Sequence, residues 1–146
     1  MRWVWRMMRT AEDFEGLWML HRTIDDRQGR QTGDFGGTAM FSLVEPGTLR
    51  YHETGDMRFG AAGTVFRAER KYEWQFGEKD VCVVFDDGSP FHSFVPNGQV
   101  PGTTHLCGDD LYNVTYDFRA WPIWTATWKV VGPRKNYTSV SSYAPA

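Results

Sequence analysis

Ten segments of alternating apolar and polar residues follow one another along the chain, and every interval between them contains Gly or Pro. The segments span residues 17–26, 35–44, 49–58, 64–76, 81–85, 91–95, 103–107, 111–118, 123–131 and 137–143. Alternation with a period of two predicts strands, and Gly and Pro mark the turns that end them. Parallel pairing would require crossover connections of a dozen residues or more, and none is available. The spacing therefore predicts an all-β chain whose strands meander in antiparallel order.

A meander of about eight to ten strands, without helices to cover its edges, is most simply accommodated as a closed up-and-down barrel. Such a barrel has no free edge and has room for one small ligand. A β-sandwich is the competing architecture, and it would leave no cavity. A length of 146 residues fits one domain, residues 1–146. Residues 10–13 predict a short helical turn capped by Thr10 ahead of the first strand.

Two motifs near the ends of the chain resemble the signature of lipocalins and the wider calycin barrels. The first is Gly16-Leu17-Trp18 at the start of the first strand, and the second is the run at residues 132–137, which contains Arg134. In those barrels an arginine from the last strand packs across the tryptophan of the first. The resemblance therefore implies that Trp18 and Arg134 stack together and close one end of a barrel. Gly16 would allow the tight turn into the first strand.

Three further runs, at residues 87–92, 105–112 and 128–137, resemble a bacterial family of small lipocalin-like proteins of unknown function. The resemblance covers nearly the whole chain. It implies the barrel, but no activity, substrate or cofactor. The sequence lacks the motifs expected of calycin transporters, haem-binding nitrobindin-like proteins or calycin enzymes.

Period-two alternation also assigns the inward face of each strand, and this face is rich in aromatic rings with polar tips. The predicted ligand-binding residues are Arg22, Tyr51, Glu53, Arg70, Tyr72, Trp74, His92, His105, Tyr112, Tyr116 and Trp124. Large apolar walls with a few polar anchors are typical of a small-molecule site. Two inward arginines, Arg22 and Arg70, face one inward glutamate, Glu53, which favours an anionic ligand. The alternative is a buried ion pair with Glu53 that carries no information about a ligand.

His92, His105 and Cys107 could supply a metal site, haem ligation or acid–base chemistry. Their spacing matches no established metal motif, so no metal and no cofactor is predicted. We expect His105 to hydrogen-bond to Asp110 or to a backbone group and to brace its hairpin. Cys82 and Cys107 are expected to be free, partly buried thiols.

The leading hypothesis is a protein that binds a partly apolar, anionic small molecule inside the barrel. One alternative is a barrel enzyme that uses His92 or His105 as acid or base with Tyr112 or Arg70. A second alternative is an interaction protein with a filled barrel.

A net charge of −2 gives no general attraction to nucleic acid. No apolar run is long enough for a membrane span or a signal peptide, which predicts a cytoplasmic protein. The basic and aromatic run at residues 2–9 fits a membrane-surface segment, a lid or a misassigned start equally well. The oligomeric state stays open.

Overall fold

The computed structural model describes residues 8–146 and is almost entirely β. A short helix, α1, spans Ala11–Phe14. The strands are β1 (Gly16–Asp26), β2 (Gln31–Glu45), β3 (Thr48–Phe59), β4 (Thr64–Phe76), β5 (Val81–Phe85), β6 (Pro90–Phe94), β7 (Gln99–Pro101), β8 (His105–Cys107), β9 (Asp110–Asp117), β10 (Trp124–Gly132) and β11 (Lys135–Pro145).

All strands belong to one antiparallel sheet in the order β6-β5-β4-β3-β2-β1-β11-β10-β9-β7, and β8 pairs with β9 beside this path. The first and last strands are neighbours, with Trp18 opposite Pro145 and Asp26 opposite Tyr137. The sheet curls until its ends meet, where the Thr103 backbone N–H donates to the Ser93 carbonyl at 2.9 Å. One continuous sheet is a nearly closed barrel, so the predicted fold class is confirmed and the sandwich is wrong.

The strand boundaries differ from the prediction mainly where the chain is irregular. The three-residue β7 lies within what the sequence suggested was a connection, because it is too short to show alternation. Strand β2 begins at Gln31, four residues earlier than predicted, so the turn after β1 is tight. The capped helical turn is confirmed: Thr10 is the N-cap of α1, and its backbone N–H donates to the Asp13 carboxylate at 2.7 Å.

One end of the barrel is plugged by aromatic side chains. Phe14 of α1 is fully buried, and its ring lies within 6 Å of those of Trp74, Trp121 and Trp124. The Trp18 indole N–H donates to the Phe14 carbonyl at 2.8 Å, which fixes α1 against β1. Gly16, with φ of 120°, makes the turn between them that the sequence predicts. We call this the closed end of the barrel.

The predicted contact between Trp18 and Arg134 is wrong. Arg134 lies in the turn between β10 and β11, beyond the point where Tyr137 is opposite Asp26. Asp26 lies eight positions after Trp18 along β1, so the backbone of the turn that contains Arg134 is about 26 Å or more from that of Trp18 along the strand. The cation at the closed end is instead Arg9, whose guanidinium lies 4.8 Å from the centre of the Trp121 ring.

The wall of the barrel is incomplete beside β4. Strand β5 pairs only with Tyr72–Phe76 of β4, so no described strand pairs with the outer edge of residues 64–71. The predicted inward parity of β4 is correct, yet Phe66 is 50% exposed because no strand of residues 8–146 covers it. This edge is called the free edge of β4.

No helix within residues 8–146 is long and apolar enough to cross a membrane. Of the basic and aromatic run at residues 2–9, residues 2–7 lie outside the described part of the chain.

Candidate functional site

The barrel encloses a cavity of about 750 Å³ that opens at the end opposite α1. All eleven residues that the sequence places in a ligand site line this cavity. They come from β1, β3, β4, β6, β8, β9 and β10, because antiparallel strands with the same inward parity present alternate side chains to one space. A cavity of this size argues against the filled-barrel alternative.

A buried ion pair lies deep in the cavity wall. The two Nη atoms of Arg22 donate to the two carboxylate oxygens of Glu53 at 2.7 and 2.9 Å. Arg22 is 5% exposed and Glu53 is 2% exposed. The Nε of Arg22 donates to the Ser141 hydroxyl at 2.7 Å, and the guanidinium lies over the Phe35 ring. Two parallel hydrogen bonds make this the strongest geometry available to such a pair.

Two tyrosines extend the pair into a directed chain of hydrogen bonds. The Tyr51 hydroxyl donates to Glu53 at 2.5 Å and lies 2.8 Å from the Tyr143 hydroxyl. Because Tyr51 has one proton and gives it to Glu53, Tyr143 must donate to Tyr51. Tyr143 stacks on Trp124 with ring centres 3.8 Å apart, which fixes the outer end of the chain.

The ionisation states of Arg22, Glu53 and the two tyrosines follow from their contacts. Burial alone would raise the pKa of Glu53, but the hydrogen bonds and charge of Arg22, together with the Tyr51 hydrogen bond and the charge of Arg70, outweigh it and the pKa is lowered. Burial alone would also lower the pKa of Arg22, yet the bonds to Glu53 raise it. Burial raises the pKa of Tyr143 to about 12. At neutral pH the group is therefore an ion pair with neutral tyrosines and no net charge.

Arg70 is not the buried cation that the sequence suggested. It is exposed on the free edge of β4, although it stands directly across from Glu53 in the strand register. It has the inward parity, but β5 ends before reaching it. Arg22 is the buried partner of Glu53, so the ion-pair alternative describes Arg22 and Glu53.

Positive charge is concentrated near the opening. Four positively charged and two negatively charged side chains line the cavity, and Arg22 and Glu53 neutralise each other. The rest are Asp26, Arg70, Arg134 and Lys135. Lys135 lies 3.1 Å from Asp110 and donates to the Tyr112 hydroxyl at 3.0 Å, which raises the pKa of its ammonium group. Within residues 8–146, Arg70 and Arg134 form no ion pair.

His92 is 7% exposed, and its Nε2 lies 2.8 Å from the Tyr116 hydroxyl. Burial, with a smaller effect from His105, lowers the pKa of His92 to about 3. His92 is therefore neutral at physiological pH and is a weak base, which does not favour the enzyme alternative that uses it.

His105 is half-buried on the cavity wall, where its ring packs against Phe85, Phe91 and Tyr112. The expected hydrogen bond from His105 to Asp110 or to a backbone group is not formed within residues 8–146, where the Asp110 carboxylate pairs with Lys135. In the described chain, no group of three or more His, Cys, Asp or Glu side chains is arranged to hold a metal ion.

Cys82 and Cys107 are both free, as expected, but exposed rather than partly buried. Cys107 shares the inward parity of His105 and reaches the cavity edge.

Several cavity residues were not found from the sequence. Four of them alternate along the last strand: Tyr137, Ser139, Ser141 and Tyr143. Their period of two was a usable signal, but serine is too small to mark an inward face by hydrophobicity. Arg134 and Lys135 lie in a turn, where alternation gives no information.

Solved structures with the same architecture come from distant proteins. The S-type phycobiliprotein lyase CPES from Guillardia theta superposes with a TM-score of 0.63 at 10% identity, covering 93% of this chain and 90% of the lyase. A protein of unknown function from the DUF3598 family of Nostoc punctiforme gives a TM-score of 0.60 at 12% identity, covering 93% of this chain and 48% of that protein. At these identities the likeness is one of fold alone.

No curated protein matches the chain in sequence. A family model does match residues 14–145, nearly the whole chain, and the protein therefore belongs to the family of unknown function DUF6314.

Proposed function

We propose that this protein binds a small, partly apolar anion, with the apolar part of the ligand in the barrel and its acidic group near the opening. The observation that carries the proposal is the distribution of charge along the cavity. The Arg22–Glu53 pair in the aromatic wall is neutral, and Lys135 is paired with Asp110. Arg70, on the exposed edge of the wall beside Glu53, and Arg134, in the turn at the opening, then outnumber Asp26 and leave net positive charge on the open side of the cavity.

Several features support a binding role. A volume of about 750 Å³ lies in the range of small-molecule sites, and aromatic walls bury apolar ligand surface effectively. Burial raises the pKa of Tyr137, while Arg70 and Lys135 both act to lower it. The charges of Arg70 and Lys135 therefore both reach the part of the cavity that contains Tyr137. A phycobiliprotein lyase shares the fold, which is compatible with a cavity that receives a small molecule.

The test compares two fluorescent probes that differ only in charge. 1-Anilinonaphthalene-8-sulfonate carries a sulfonate, and N-phenyl-1-naphthylamine has the same rings without it. The anion should bind one per chain and more tightly than the neutral probe. Arg70→Met combined with Arg134→Met should weaken the anion about tenfold or more and leave the neutral probe nearly unchanged.

Two further variants locate the site. Arg50→Met is the control variant, because it removes an arginine charge from the outer face of β3. It should leave the affinity for both probes unchanged. Ala126→Leu adds three carbons inside the cavity and should weaken both probes. Equal affinity for the two probes, or a similar loss in Arg50→Met, would contradict the proposal.

A further inference from the structure

The free edge of β4 is the least protected strand edge of the barrel. Residues 64–71 pair with β3 on one side, and on the other side no strand of residues 8–146 is hydrogen-bonded to them. Apart from Ala68, which is half-buried, every one of these residues is exposed. An edge of this kind presents a row of free backbone N–H and C=O groups and is a template for another strand.

The sequence of this edge is complementary to itself in antiparallel order. If two copies pair about a two-fold axis at Ala68, Arg67 of each copy lies directly opposite Glu69 of the other. Opposite charges facing each other across antiparallel strands stabilise the pair, and like charges destabilise it. On the other face Phe66 is opposite Arg70, a contact in which a guanidinium can cover an exposed ring.

The neighbouring registers are worse. A two-fold axis at Arg67 would place two arginines opposite each other. An axis at Glu69 would face two glutamates and would also set Arg67 against Lys71. Both like-charge arrangements are destabilising, so the charge pattern favours the register centred on Ala68 over these two neighbours.

The charges on the outer faces of the two sheets would also be complementary. Within one chain, Arg67 lies 3.4 Å from Asp56 and Glu69 lies 2.8 Å from His52, both on β3. In the paired arrangement Arg67 would lie between Asp56 and the second copy's glutamate. Residues directly opposite one another would then alternate in charge from Asp56 to Arg67 to the second copy's Glu69.

We infer that the free edge of β4 is a homodimer interface, in which residues 65–71 of two copies pair as antiparallel strands about Ala68. The two-fold axis makes each contact occur twice, as in other isologous interfaces. Pairing covers the half-exposed Phe66 and satisfies the free backbone groups. It also places Phe66 of the second copy beside Arg70. The second copy then covers part of the incomplete wall beside β4, and the cavity opening is narrower on that side. This inference does not depend on what the cavity binds.

Sedimentation equilibrium of the full chain over micromolar concentrations tests the interface, with charge reversals as the diagnostic. Wild type should have twice the mass of one chain. Arg67→Glu alone, or Glu69→Arg alone, converts both opposite-charge contacts into like-charge contacts and should weaken association about tenfold or more. The double variant R67E/E69R restores opposite charges and should restore the dimer. Arg58→Glu, on β3 outside the pairing, should leave it intact.

A second measurement fixes the register and does not depend on charge. In a background with Cys82 and Cys107 changed to serine, Ala68→Cys should cross-link two chains efficiently with a short thiol-specific reagent, because residue 68 lies next to its own copy on the axis. Glu73→Cys, also on β4 but outside the pairing, should not. A monomeric wild type at 100 µM, single reversals without effect, failure of the double variant to recover, or equal cross-linking at both positions would overturn the inference.

Discussion

Glu53→Gln is expected to be among the most damaging single substitutions in this protein. The glutamate accepts two hydrogen bonds from Arg22 and one from Tyr51, and it is 2% exposed. Glutamine keeps the shape, but it has one acceptor oxygen, and its NH₂ group would face an Arg22 donor. The guanidinium cannot lose its proton, so a positive charge would remain buried without a counterion.

The size of the effect follows from that burial. Removing one partner of a buried ion pair costs about 3–5 kcal/mol, which is a large share of the roughly 5–15 kcal/mol that stabilises a typical domain. Replacing both partners removes the charges together. The double variant Arg22→Met with Glu53→Leu should therefore lose much less than the sum of its two single variants.

Urea unfolding followed by tryptophan fluorescence at neutral pH measures these free energies. Asp25→Asn is a matched control, because it removes one partner of an exposed ion pair in which Asp25 and Arg27 lie 3.8 Å apart. It should cost no more than about 1 kcal/mol. A loss below about 1 kcal/mol for Glu53→Gln, or strictly additive losses in the double variant, would refute the reasoning.

The same pair predicts acid sensitivity. The pKa of Glu53 is lower in the folded protein than its ordinary value of 4.5. Its contribution is therefore fully present above that ordinary value and is lost as the pH falls through the lower folded value. The free energy of unfolding of wild type should decrease in that acidic window, and Glu53→Gln should lack this part of the decrease.

Two more predictions use glycine and histidine. Gly37→Ala should destabilise the protein by about 2–3 kcal/mol or more, because a Cβ there would overlap the Thr54 carbonyl oxygen on β3. Gly36→Ala is the control and should be nearly neutral, because no atom lies within 4 Å of the added Cβ. Equal melting temperatures for the two variants would contradict this prediction. The folded pKa of His92, about 3, lies below its ordinary value of 6.5, so stability should fall as the pH decreases below 6.5. The His92 contribution amounts to about 3 kcal/mol between pH 6.5 and 4, and His92→Phe should show a shallower pH dependence over that range.

The sequence alone predicted which side chains point inward more accurately than it predicted how deeply those side chains are buried. Parity correctly turned Arg22, Glu53 and Tyr116 inward, because alternation is a property of each strand by itself. Burial depends on the neighbouring strands as well. Arg22 and Arg70 have the same parity, but Arg22 lies between two full-length strands and Arg70 lies beyond the end of β5. The sequence could not distinguish them, because the length of β5 relative to β4 is a property of pairing.

The misplaced Trp18–Arg134 contact has a similar cause. Both residues belong to strands or turns that meet in the sheet, and β1 does pair with β11. Their separation along the barrel depends on register, which the antiparallel pairing of Trp18 with Pro145 fixes. A local motif contains no information about register. The resemblance at two short runs therefore predicted correctly that the two ends of the chain meet in the barrel, but it predicted the contact between Trp18 and Arg134 incorrectly.

The buried pair also determines where a ligand's charge can lie. Glu53 occupies both Nη atoms of Arg22, and Ser141 occupies Nε, so an anion placed there would meet the Glu53 carboxylate as well as the guanidinium. Repulsion from Glu53 offsets the attraction of Arg22 at nearly the same distance. Arg70 and Arg134 form no ion pair within residues 8–146, and the carboxylate beside Arg70 in the sheet, Glu53, already holds Arg22. The proposed ligand is therefore oriented by charge, with its acidic group outermost and its apolar part against the aromatic wall.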